Sequence, residues 1–600
     1  MSSRTGLAGL AVIAMLATMP ANADDRTGWQ DDLTPITTWT QADAAHLLER
    51  AGFGGSPAEI SALHALGPDG AVRRLVQFEG ADTGDMPPFD HSGAHDPGIE
   101  PFPPSRPAAT RLAAETGEAI GVKVKPTGNR RLQPVVNRFF YWLRASRLET
   151  DRVAYWWANR MLTSPRPLQE KMALFWHGHF ATNEGKVRDY RKHLHLLGVF
   201  HEHGLGSFRD LTISVAQSPG MLSFLDAGVN VKGSPNENFA REIMELFTLG
   251  VGHYTEQDIR EAARAFTGWN YDDMTFVVNA EQHDAADKTV LGQTAALDGI
   301  GVIDILLEAP AAEYIAAKLY RYFVHDDPSP QMIAALAGVL RTNDYQIAPL
   351  MQTIFHSRDF YSPAAMGTRI KGPVELAVST YRKLELTEVP GVPDFNAATR
   401  ALGQHLFNPP TVAGWAQGKA WITPGLLIAR ENFAYDVMFP DITFVPHDRF
   451  PRDPNIRVVS NRLADGASIS AATMPPSSDG QMAMSNMMAD MDQDFNTRYG
   501  SYRGWQMALA KVKPIPRHTA DPDLSGMVRG AGLATITEVV DHFAARMLSV
   551  PIDPAQRTAL IEVLRTELGT DLIAEADSYM EDGLRVLVQR IMALPEYQLG

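Results

Sequence analysis

SPNENFAREIMELFTL, residues 234–249, decides the fold: Phe239, Ala240, Ile243, Met244, Leu246 and Phe247 recur at three- and four-residue intervals, as on an amphipathic helix. Ser234 is placed to cap it, Pro235 suits its first position, and Glu237 sits where a capping-box carboxylate reaches back. The same period runs outward from this segment. It continues at Glu256–Phe266 and precedes it at Pro134–Arg147, Asp151–Leu162, Pro167–Phe180, Arg188–His203 and Phe208–Ala216. Thr40–Phe78 reads as two or three short helices broken at Gly52-Phe53-Gly54-Gly55-Ser56-Pro57. Helices also read from Gly301 through Arg341, at Ile347–Phe355, Pro373–Lys383 and Pro424–Met438, and over Thr535–Leu594. Between Met274 and Leu291, Thr275–Val278 and Lys288–Leu291 flank a polar turn, which predicts one β-hairpin. The fold class is therefore mainly α: one large helical array with a small hairpin and two long loop insertions, a Pro-rich loop at 81–131 and an irregular Met-rich stretch at 440–530.

The 600 residues carry 70 acidic against 54 basic side chains, a formal charge of −16, and no basic cluster. Nucleic-acid binding is disfavoured, because a phosphate-binding face needs grouped Lys and Arg. With no cysteine in the chain, disulfides, thiolate nucleophiles and thiolate metal sites are excluded together. Residues 1–23 form a unit of their own: Arg4 gives a positive start, Leu7–Met19 is apolar, and Ala21-Asn22-Ala23 is a small-x-small cleavage site. This predicts a signal peptide at 1–23, a mature chain of 24–600 located in the periplasm or outside the cell, and no membrane span after cleavage.

Candidate chemistry is sparse. On the 235–249 helix, Asn238, Glu242 and Glu245 fall within about 60° of one another at 100° per residue, with Asn236 and Arg241 close by. Two carboxylates three residues apart repel unless a proton, an Arg or a metal intervenes, so this stripe is a candidate polar site and equally a plain solvated face. His177 and His179 lie on the preceding 167–180 helix; with Glu242 and Glu245 they form a candidate site for a divalent transition metal, provided the two helices face each other. Met482, Met484, Met487, Met488 and Met491 present soft thioethers at spacings suited to Cu(I), within a stretch that equally suits a flexible loop.

DAGVNVKGSPNENFAREIMELFTLGVGHYTEQDIREAARAFTGW at 226–269 closely resembles the signature of an exported bacterial family known as domain of unknown function 1800. HLLERAGFGGSPAEI at 46–60, KMALFWHGHFATN at 171–183, IKGPVELAV at 370–378, LGQHLFNPPTVAGW at 402–415 and ALPEYQLG at 593–600 resemble the same family, in order. The resemblance spans nearly the whole mature chain and makes 440–530 an insertion within one domain. It implies a mostly helical exported protein, a partner from the domain of unknown function 1501 family, and no established reaction. HExxH, GxSxG, GxGxxG, SxxK and P-loop signatures are all missing from the sequence. Two functions stay open: a binding or assembly protein acting with an exported partner, and a metal-dependent enzyme using the His/Glu/Asn site.

Overall fold

The computed structural model describes residues 23–80, 87–95, 133–308, 310–441 and 497–600. Helices dominate it, and the only sheets among these residues are two antiparallel pairs. Most helix starts follow local chemistry. Thr40, Ser56, Thr255 and Thr535 each cap a helix and receive the third residue's carboxylate in return, a reciprocal box that satisfies two otherwise orphaned backbone donors.

Some boundaries differ from the periodicity. The two helices expected at 134–147 and 151–162 are a single helix, Gln133–Thr163, since no residue between them breaks the α-helical backbone. The expected hairpin is two hairpins. β1 (Trp269–Asp272) pairs with β2 (Thr275–Val278), and β3 (Lys288–Val290) pairs with β4 (Gln293–Ala295). Both predicted strands exist, but each turns back on its own neighbour. Positive φ at Asp273 in one turn, and at Leu291 and Gly292 in the other, supplies the tight reversal. Within 440–530, read as aperiodic, Thr497–Lys511 and Leu524–Ala531 are helices. The first, with Val512 just after its end, packs on Gln133–Thr163: Trp505, Ala508 and Val512 meet Tyr141, Ala145 and Leu148. Gly504 permits this approach: a Cβ there would lie 2.5 Å from the Phe140 backbone carbon. In the Pro-rich loop, residues 87–95 are described; they run without helix or strand, burying Phe89 and Ala94.

One apolar core joins the helices from Leu47 to Tyr597, with Trp157 and Trp176 fully buried in it. Embedded beside it is a network of charges. Glu49 lies 3.0 Å from Lys383 and 3.6 Å from Lys371, while Glu375 lies 2.5 Å from Lys171 and 2.7 Å from Arg369. Cations outnumber carboxylates here, and helix ends make up part of the difference. Arg50 donates to Phe323 O and Val324 O at the C-terminus of Ala311–Phe323, Lys383 to Met547 O at the end of Ile536–Met547, and Lys371 to Tyr597 O. Those last carbonyls lack partners within their helices and carry the negative end of the helix dipole. Burial, reinforced by Lys383 and opposed by Glu49, draws the Lys371 ammonium down to about 7. The segments 46–60, 370–378 and 593–600, together with Lys171, therefore meet in a single ionic knot.

Candidate functional site

The polar helix that opened the sequence reading starts two residues later than expected. Asn236 is the N-cap: its Oδ1 accepts from Asn238 N at 2.9 Å, and its own N–H donates to Asn230 Oδ1 at 2.9 Å. Asn238 Nδ2 donates to Leu225 O, so both asparagines fasten the helix to the loop before it. Arg241 turns away from the carboxylate stripe and bonds Glu256 and Glu237. Glu242 is left half-buried, with no hydrogen bond among the described residues; burial, then the neighbouring Glu245, raise its carboxyl above the ordinary range. Glu245 accepts from the Tyr254 hydroxyl at 2.6 Å.

The α-helix proper is Glu237–Glu242, and Ile243–Thr248 continues it as a π-helix. Such widened turns are rare and recur at functional sites. Here the turn presents carbonyls sideways. His179 Nε2–H donates to Phe247 O at 3.0 Å, Tyr314 Oη–H donates to Leu246 O at 2.8 Å, and Lys318 Nζ approaches the same Leu246 O at 3.4 Å. Since Nε2 must carry the proton in that bond, His179 Nδ1 is the acceptor for Lys318 Nζ at 3.0 Å. Burial first, then Lys318, hold the His179 imidazole well below its usual range, so it is neutral.

The 167–179 helix thus meets the 237–248 helix, as expected, but His179 reaches a backbone carbonyl there rather than Glu242 or Glu245. His177 points to another contact: its Nε2 accepts from Phe407 N–H at 3.0 Å, and burial, then His193, take it down to about 3. The segment 402–415 is clamped there. Glu184 N–H donates to Phe407 O, Asn183 Nδ2 donates to Pro409 O, and Gly414 comes so close to Gly178 that a Cβ would lie 2.1 Å from its carbonyl oxygen. Imidazole–carboxylate pairs occur elsewhere, at His193–Glu184 and His201–Glu170. No three His, Asp or Glu side chains are grouped to hold a metal ion among the described residues. Met482, Met484, Met487, Met488 and Met491 lie outside the described residues. Lys318 and Tyr314 escaped the sequence reading because AAEYIAAKLYRYF gives no local sign of what its lysine meets.

A second site had no counterpart in the sequence reading. A cleft of about 730 Å³ opens between residues 384–388, 518–531 and the His542–Arg546 turn, and a second of about 390 Å³ shares Asp521, Pro522 and Asp523 with it. Six carboxylates border the pair, Glu385, Glu388, Asp521, Asp523, Asp577 and Glu581, against the three guanidiniums of Arg529, Arg546 and Arg585. Arg546 pairs with Glu385, Arg585 with Asp521 and Glu581, and Arg529 with Asp577, while His518 lies 3.5 Å from Glu388, so the trough carries an excess of negative charge. At its wall, His542 is only 7% exposed and its Nε2 has no hydrogen-bond partner. Burial, then Arg546, against the opposing pull of Glu385, bring its imidazole down to about 4, which makes it neutral at pH 7.

These features sit on a scaffold of one class, a mainly helical array with two minor hairpins. The chain belongs to the family described as protein of unknown function (DUF1800), whose profile matches residues 46–599. No curated protein and no solved structure matches the chain. No helix among the described residues is long and apolar enough to cross a membrane.

Proposed function

We propose that the protein is an exported binding protein whose acidic trough receives a cationic group presented by a partner. The observation that carries this reading is the trough itself: exposed carboxylates, Glu388 (61% exposed) and Asp521 (82%), above a buried imidazole with an unused nitrogen. A cleft with an excess of one sign of charge concentrates ligands of the other sign and speeds their encounter. An amine or guanidinium entering it finds carboxylates to pair with, while neutral His542 offers a polar atom for which the protein provides no partner. Export is supported by Arg4, the Leu7–Met19 run and Ala21-Asn22-Ala23, and sequencing of the mature protein should begin at Asp24. A mature protein that keeps Met1–Ala23 overturns this part.

Calorimetric titration with a short oligolysine peptide tests the binding. Binding should weaken with salt, as exposed charge pairs do. The double variant Glu388→Gln/Asp521→Asn should lower affinity about tenfold with the melting temperature unchanged, since exposed pairs contribute up to about 1 kcal/mol each. Equal affinity in wild type and variant sinks the reading. Mixing with an exported protein of the domain of unknown function 1501 family tests the partner that the resemblance implies. The alternative of a metal-dependent enzyme has no observation in its favour, since His177 and His179 engage Phe407 N–H, Phe247 O and Lys318 instead of Glu242 and Glu245.

A further inference from the structure

We propose that Lys318 is a nucleophilic amine, positioned to add to the carbonyl carbon of a small aldehyde or ketone. The inference rests on the surroundings of its Nζ. It donates to His179 Nδ1 at 3.0 Å, approaches Leu246 O at 3.4 Å, and lies 4.9 Å from the centre of the Tyr314 ring. No carboxylate lies within ion-pair distance of it among the described residues, in contrast to Lys171, Lys186, Lys371, Lys383 and Lys513, each of which has a Glu or Asp partner.

An ammonium in that position has lost water without gaining a counter-charge, so its charged form is less stable than in water. Burial alone draws Lys318 down to about 8. The side chain is nonetheless half-buried rather than enclosed, on a helix face shared with Tyr314. The groups facing it come from three elements: His179 from the 167–179 helix, the Leu246 carbonyl on the π-helical segment, and Tyr314 one turn earlier on its own helix. Of these, His179 is neutral and accepts a hydrogen bond from the amine.

The chemistry balances without an outside oxidant or reductant. The amine lone pair forms a C–N bond to the carbonyl carbon, the carbonyl π electrons move to oxygen, and a proton passes from nitrogen to that oxygen to give a carbinolamine. Loss of one water then gives the imine. The proton needed by the departing hydroxyl comes from solvent water, which reaches this half-buried side chain.

Reductive trapping tests this on the full-length protein. Native protein is treated at pH 8 with propanal and sodium cyanoborohydride, and the alkylated lysines are mapped by mass spectrometry over time. Lys318 should be modified about tenfold faster than the exposed Lys232 and Lys419 in the same tube, with a rate that rises through pH 8. Denaturation in urea should erase the difference, and Lys318→Arg should remove the fast phase while leaving Lys232 and Lys419 unchanged. A Lys318 rate equal to or below that of the two exposed lysines overturns the proposal, whatever the variant does.

Discussion

Glu375→Gln should lower the unfolding free energy by about 3–5 kcal/mol, the cost found when one member of a buried ion pair is removed and its partners keep their charge. The carboxylate lies between Lys171 and Arg369, and its Oε2 also accepts the Gly372 N–H at the start of Pro373–Lys383. Burial raises the carboxyl, yet Arg369 and then Lys171 outweigh burial and hold it far below its usual range. An amide there keeps the hydrogen bond to Gly372 in reach but abandons two buried cations. Lys371→Met should behave in the opposite way, leaving stability unchanged or raised, because the network already has more cations than carboxylates and burial, together with Lys383, draws Lys371 down to about 7. Urea titrations of both variants, fitted with a common slope, decide the matter. A Lys371→Met loss as large as that of Glu375→Gln would mean that the knot is balanced and not cation-rich.

Acid should destabilise the protein well above the usual carboxylate range. His46, His177 and His179 are almost fully buried and held neutral. Burial, then Arg50, takes His46 down to about 3, and it spends Nε2–H on Phe360 O. Because the unfolded chain takes up these protons near pH 6.5 and the folded chain does not, stability is complete above that pH and is lost as pH falls toward 3. By pH 5 each such histidine lowers the unfolding free energy by up to about 2 kcal/mol, at 1.36 kcal/mol for each unit below 6.5. Glu49 adds a second window. Burial tends to raise it, but Lys383, Lys371 and Lys171 prevail and take it to about 2, so its contribution is lost only below about pH 4.5. Unfolding at pH 5, followed calorimetrically in buffers of different ionisation enthalpy, should therefore show uptake of about three protons by these imidazoles and about one more by His542. Uptake near zero would show that they are already charged in the folded protein.

Much of this architecture is legible in the sequence where the physics is local. The capping residues Thr40, Ser56, Thr255 and Thr535 act through neighbours three residues away, and apolar periodicity locates most helices. Reading fails where a distant partner decides. Nothing in helical periodicity distinguishes a charged residue facing water from one facing another helix: Glu49 and Arg50 lie in an ordinary amphipathic frame, yet both are buried because Lys371, Lys383 and the end of the 311–323 helix are there to receive them. The candidate stripe shows the same divide. That Glu242 and Glu245 share a face follows from helix geometry, whereas the departure of Arg241 toward Glu256, and the arrival of Lys318 beside His179, depend on the packing of separate helices. The acidic trough joins residues around 385, 520, 545 and 580, so no single window of sequence contains it.

The π-helical segment at Ile243–Thr248 bears on how the helix can serve two neighbours. A turn holding one surplus residue shifts the angular phase of everything beyond it relative to everything before. Asn236 and Asn238 on the early side keep the register that fixes the helix to the 225–230 loop, while the carbonyls of Leu246 and Phe247 on the late side adopt a different register, set by His179, Tyr314 and Lys318. The surplus residue works as a slip joint: the two ends of one helix answer to separate alignments, and a change that satisfies one neighbour need not be transmitted to the other.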